Sequence, residues 1–197
     1  SGAEAVECTI KAARRYHFNK GKIDKSKFIT FKGSFHGRTL GTIAAANNSS
    51  HLEGFGLPLQ GFVNIERNNL DELRGSINET IAAVLIEPIQ GEGGINTFEK
   101  NFINEVNNIA KANDILILFD EVQCGMGRTG RLFAHEWFDV NPDVMALAKG
   151  LGGGFPIGAC LMTDAVANAL GPGTHGSTFG GNPLASAVGN CVMDIVN

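Results

Sequence analysis

Apolar residues run along this chain in two rhythms. The first is the short, nearly unbroken run. "KFITF" (27–31), "GFVNI" (61–65), "IAAVLIEPI" (81–89), "DILILFDE" (114–121), "DVMALAKG" (143–150) and "IGACLMT" (157–163) are each of strand length. Run 81–89 is nearly all apolar and run 114–121 has an unbroken apolar centre at 115–119, as a strand buried on both faces requires. The second rhythm is helical. Residues 4–18 set Val6, Ile10, Ala13 and His17 along one face, 69–77 forms a short helix, and 99–113 turns Phe102, Val106 and Ile109 to one side. Strands alternating with helices in this way predict an α/β fold, a three-layer α/β/α arrangement around a mostly parallel central sheet. No repeat or low-complexity linker interrupts the pattern, so residues 1–197 form one large domain.

The polar residues of interest fall where the apolar runs stop. Glu87, Asp120 and Lys149 each lie at or just past the C-terminal end of such a run. Open α/β sheets place their ligands there. Lys149, in "ALAKGLGGG", is a candidate amine nucleophile, because burial and nearby cations lower a lysine's pKa. A lysine snorkelling from a strand end to solvent fits the same local sequence. Asp120, after an apolar stretch in "LFDEVQ", is costly to bury unless it meets a cation, and a protonated pyridinium is one such partner. An aspartate capping the following turn is the simpler alternative. Glu121 points the opposite way if the strand continues.

Two stretches offer anion sites. "SGAEA" opens a helix with small residues and free backbone N–H groups. "HGSTFGGNPLASA" (175–187) sets Ser177 and Thr178 ahead of an Asn-Pro helix start. In "GSFHGRT" (33–39), Phe35 and His36 could stack on a planar ligand and Arg38 could hold a carboxylate. A strand-terminal turn with a core phenylalanine accounts for the same residues.

Composition narrows the classes. Hydrophobic residues make up 43% of the chain, enough for a sizeable core. The formal charge of −4 argues against a basic surface for nucleic acid or anionic lipid, and no apolar run reaches the roughly 18 residues that span a bilayer. Cys8, Cys124, Cys160 and Cys191 match no zinc or CxxC spacing, and we expect reduced thiols in or near the core. The five histidines show no metal-binding spacing, and no metal site is expected. Walker, dinucleotide-fingerprint and hydrolase-elbow motifs are missing. There is no signal-peptide h-region and no initiator Met, and both ends fall inside helical patterns. We therefore expect the interior of a longer, cytoplasmic polypeptide.

Six motifs in order, "SGAEA", "FHGRTLG", "EPIQGEGG", "FDEVQCGMGRTG", "LAKGLGGGFPIGA" and "HGSTFGGNPLA", cover nearly the whole chain. Together they resemble the class III, fold-type-I aminotransferases that use pyridoxal 5′-phosphate. The resemblance implies the large cofactor-binding domain of such an enzyme, with the N- and C-terminal segments of a smaller domain lying outside this chain. It implies Lys149 as the Schiff-base lysine and Asp120 as the carboxylate that keeps the pyridine nitrogen protonated. Val122 and Phe35 would flank the ring, Gln123 would bond its hydroxyl, and Gly2 and Ala3 would donate N–H groups to the phosphate. Thr178 would reach the phosphate of a partner subunit, implying a homodimer with shared sites. Arg38, Glu87 and Glu92 would line the substrate pocket. The implied reaction is ping-pong transfer of an amino group between N-acetylornithine and 2-oxoglutarate in arginine biosynthesis. Ornithine, 4-aminobutyrate and succinyl-diaminopimelate are the rival donors. A non-catalytic dimerisation or regulatory module that keeps the fold is the alternative of another kind.

Overall fold

The computed structural model describes residues 1–197. Helix α1 (Gly2–Asn19) leads to β1 (Lys27–Phe31), followed by α2 (Leu40–Ala46), α3 (Ser49–Leu52), β2 (Phe62–Ile65), α4 (Leu70–Ser76) and β3 (Ile81–Ile86). A small ribbon of β4 (Ile89–Gln90) and β5 (Asn96–Thr97) precedes α5 (Lys100–Ala112) and β6 (Leu116–Asp120). Then come β7 (Val144–Leu147), β8 (Ala159–Met162), α6 (Asp164–Ala167) and α7 (Pro183–Val196). Six strands make one sheet in the order β2-β1-β3-β6-β7-β8. All neighbours pair in parallel except the edge strand β8, which runs antiparallel to β7.

Strand alternation sorts the side chains into two cores. Ala83 and Leu85 of β3, Leu116 and Leu118 of β6, and Val144 and Ala146 of β7 pack with Ala5, Val6 and Ile10 of α1. Their neighbours Val84, Ile86, Ile117, Phe119, Met145 and Leu147 pack on the other face with Phe102, Ile103 and Val106 of α5. Both faces are therefore covered, as the unbroken apolar runs require.

Two boundaries and one buried position differ from the sequence expectation. The run 81–89 is two elements: β3 ends at Ile86, and Ile89 belongs to a separate antiparallel ribbon with Thr97. Pro88 lacks the N–H that a central strand would need. Helix α1 begins at Gly2, with Ser1 Oγ accepting the Glu4 N–H at 3.4 Å, so Ser1 caps the helix instead of lying within it. Ile109 is only half-buried, while Ala110 completes the inner face of α5. The face expected for α1 is borne out: Val6, Ile10, Ala13 and His17 are all buried. His17 Nε2 donates to the Ala82 carbonyl at 2.9 Å, and burial holds its pKa below the ordinary value.

Leu118 is fully buried between α1 and the central strands. Leu118→Ala is expected to cost about 2–5 kcal/mol, as buried leucine truncations do. Urea unfolding of the full-length protein measures it, and a cost under about 1 kcal/mol would contradict this packing.

Candidate active site

Strand alternation also decides where the polar strand ends point. Leu116, Leu118 and Asp120 share the face on which α1 packs, so Asp120 meets the N-terminus of that helix. Asp120 is 2% exposed. Its Oδ1 accepts the Val122 N–H at 3.1 Å, and its Oδ2 lies 2.8 Å from His36 Nδ1. The His36 side chain is fully buried, and its Nε2 has no protein partner. His36, suggested by the sequence only as a stacking group, thus supports Asp120. No local signal marks this, because the two residues are 84 positions apart.

Lys149 follows β7 and opens a short 3₁₀ turn, Lys149–Gly152. Its φ is +42°, a left-handed conformation that side chains other than glycine's adopt at a cost. Its Nζ donates to Gln123 Oε1. The backbone is therefore bent to aim one amine at the residues that follow β6.

Two close approaches bring the remaining walls together. A Cβ on Gly2 would stand 2.7 Å from Val122 Cγ1, so only glycine lets the first turn of α1 sit against the β6 end. Gly37 has φ +125°, and a Cβ there would stand 2.7 Å from Ala3 Cβ. That glycine folds the turn after β1 onto the same helix start. The N–H groups of Gly2 and Ala3 lie in the first turn of α1 and have no intrahelical acceptor.

These elements enclose a cavity of about 370 Å³. Gly2, Ala3, Asp120, Val122, Gln123 and Lys149 line it, as do Phe35, Glu87 and Glu92. Ala148 and the segment 154–157, which the sequence placed in the motif "LAKGLGGGFPIGA" without giving them a role, complete its wall. Two candidates lie elsewhere. Arg38 is exposed: its guanidinium stands over the Phe35 ring, 5.5 Å from the centroid, and its Nη2 donates to His51 Nε2 at 3.2 Å. Thr178 is exposed in the turn before α7 and does not line the cavity.

Two further carboxylates brace the site. Glu87 accepts the Phe35 N–H at 2.8 Å and the Gly91 N–H at 3.3 Å, joining the turn after β1 to the β4–β5 ribbon. Burial pushes its pKa up to about 7, against the pull of those bonds. Glu121 faces away from Asp120 and accepts the N–H groups of Ala134 (2.6 Å) and His135 (2.7 Å). Burial likewise raises it to about 7. It pins the 3₁₀ turn Ala134–Trp137 beneath the strand end.

Glu87 binds its proton more tightly folded than unfolded. Between its ordinary value of 4.5 and about 7 the native state holds the extra proton, so stability falls as pH rises through that window. Each such group contributes a slope of up to about 1.4 kcal/mol per pH unit. Glu87→Gln in the full-length protein is expected to reduce this decline, with Glu121 keeping its own share. Denaturant titrations at several pH values measure it, and identical slopes would contradict the burial assigned to Glu87.

Comparison with known proteins agrees with this geometry. A family model described as aminotransferase class-III matches residues 1–197. The acetylornithine aminotransferase of Mesorhizobium japonicum is 55% identical over 196 residues, which cover 100% of this chain and 49% of that protein. The acetylornithine aminotransferase of Aquifex aeolicus is 48% identical, covering 100% of this chain and 52% of its own length. The crystal structure of ornithine aminotransferase from Toxoplasma gondii superposes with a TM-score of 0.95 at 36% identity, over 100% of this chain and 48% of that one. Another structure of that enzyme, at TM-score 0.94 and 36% identity over 99% of this chain and 47% of its own, has PLP at partial occupancy in its active site. The chain spans about half the length of the curated relatives it matches. On its sequence and its fold, the chain belongs to the class-III aminotransferases.

Proposed function

We propose that this chain is the large cofactor-binding domain of a pyridoxal-phosphate-dependent aminotransferase acting between N-acetylornithine and 2-oxoglutarate, in arginine biosynthesis. The observation that carries the proposal is convergence. An open helix N-terminus, a buried carboxylate and a lysine amine from three distant segments face one cavity. The donor set suits the cofactor. The N–H groups of Gly2 and Ala3 would hold a phosphate, and Asp120 would hold a protonated ring nitrogen. Val122 and Phe35 would flank the ring, Gln123 would meet its hydroxyl, and the Lys149 amine would hold its aldehyde carbon. The Gly2–Val122 approach, which a side chain would block, gives a flat ring its slot beside the helix start.

Bound there, pyridoxal phosphate would supply an electron-accepting ring and a carbonyl that carries nitrogen between two substrates. The protein's own residues do the rest. Asp120, braced by His36 and the Val122 N–H, would hold a proton on the ring nitrogen by opposite charge. The Lys149 amine, which lines the same cavity, would be the group that moves a proton off the substrate α-carbon. Glu87 and Glu92 face the substrate end, and Arg38 stands over Phe35 where an arriving carboxylate would pass. Thr178, outside this chain's own cavity, would reach the phosphate of a second subunit, so the working unit is a homodimer. No helix is long and apolar enough to cross a membrane, and we place the enzyme in the cytoplasm.

Relatives named for N-acetylornithine support that donor. The Toxoplasma neighbour named for ornithine supports a second reading, with free ornithine as donor. Assays of the full-length protein separate them. A higher kcat/KM for N-acetylornithine is expected, and equal or better use of ornithine would overturn the assignment.

Two substitutions test the roles. Lys149→Ala is expected to abolish borohydride-trapped pyridoxyl label while leaving the circular dichroism unchanged; persistence of the label elsewhere in the chain would remove Lys149 from its role. Asp120→Ala is expected to lower kcat by on the order of 10² or more, the scale of losing one preorganised electrostatic group. Near-normal turnover there would contradict the assignment.

A further inference from the structure

The four free cysteines sit in different surroundings. Cys124 is buried behind the β6 end, where burial first and the charges of Glu121 and Asp120 next push its thiol up. Cys191 is exposed on α7. Cys8 on α1 and Cys160 on β8 are both half-buried and line one and the same recess. Cys160 Sγ also lies 3.4 Å from Thr9 Oγ1. The pair opens on a shallow recess of about 310 Å³, lined also by Glu4, His175 and Ser177. It is a cluster of nucleophilic side chains that the transamination chemistry does not use.

The pair is asymmetric. The neighbouring Cys160 thiol lowers the Cys8 thiol to about 7 against the effect of burial, with help from the Lys11 ammonium. The same proximity, and then burial, raise Cys160. One sulfur is therefore suited to attack and the other held in reserve beside it. Glu4, Lys11 and His175 are the other titratable groups near Cys8. β8 and α1 already touch closely: a Cβ on Gly158, two residues before Cys160, would stand 2.4 Å from the Ser1 carbonyl oxygen.

We propose that Cys8 and Cys160 form a thiol–disulfide exchange site that takes a low-molecular-weight disulfide such as glutathione disulfide. The Cys8 thiolate attacks one sulfur, forming a Cys8–glutathione bond and releasing one glutathione thiolate. Cys160, giving up its proton, then attacks the Cys8 sulfur and releases the second glutathione. Two protein thiols become one disulfide while one glutathione disulfide becomes two thiols, so electrons and protons balance. The bridge staples β8 to α1 about one and a half turns behind the Gly2 and Ala3 N–H groups. The inference is independent of the substrate assignment.

The full-length protein is incubated with graded ratios of glutathione disulfide to glutathione, alkylated, and mapped without reduction. No Lys or Arg lies between Cys160 and Cys191, so aspartate-directed cleavage at Asp164 is added to trypsin to separate them. The expected product is the Cys8 peptide linked to the Cys160 peptide, two hydrogens lighter than their sum. In Cys160→Ala the reaction is expected to stop at glutathione-capped Cys8. Alkylation of Cys8 at pH 7 in that variant should slow roughly tenfold, because loss of the neighbouring thiol returns Cys8 toward its ordinary range. Cys8 remaining free while Cys191 is fully glutathionylated would overturn the proposal. So would an unchanged Cys8 alkylation profile in Cys160→Ala.

Discussion

A carboxylate at the end of a fully buried strand is the constraint on which this molecule depends. Asp120 continues the β6 side that packs on α1, and burying its charge is unfavourable unless other groups satisfy it. The chain supplies part of that compensation itself. His36 comes from the turn after β1, and the Val122 N–H comes from the bend after β6. The side facing the cavity is left for a ligand. Around that one residue the other elements take their places. The glycine at the start of α1 permits close approach to Val122, Gly37 folds the turn that carries His36, and Glu87 ties that turn to the neighbouring ribbon.

The site also shows how strain and burial are distributed. Lys149 alone has its backbone in the left-handed region within the 3₁₀ turn after β7 until Gly153 closes it. That local cost is sustained by the rigid strand before it, which is buried throughout. Glu121, turned to the opposite face, takes two backbone N–H groups and so fixes the loop beneath the site. Two adjacent carboxylates thereby serve different ends. One faces the cavity and the other holds the scaffold, and strand alternation alone separates them.

Much of this was legible in the sequence. Unbroken apolar runs gave the buried parallel strands, and helical spacing gave the inner faces of α1 and α5, because both follow from periodicity. The strand ends at Glu87, Asp120 and Lys149 marked the cavity, because open α/β sheets gather ligands there. What stayed hidden depends on long-range geometry. The partnership of His36 with Asp120 and the recess shared by Cys8 and Cys160 join residues far apart in the chain, and no spacing encodes them. The outward position of Arg38 rests on its stacking over Phe35 and its bond to His51, which a linear motif does not report. The break at Pro88 was readable in principle, since proline cannot donate within a central strand, but the apolar pattern around it masked the signal.

The central claim is that Asp120, held by His36, keeps a proton on the ring nitrogen of a bound cofactor. The most direct measurement is the ¹⁵N chemical shift of ring-labelled pyridoxal phosphate bound to the full-length protein. A shift characteristic of a protonated pyridinium at neutral pH, lost in Asp120→Ala, is the predicted result. An unprotonated ring nitrogen in the unaltered protein would contradict the account.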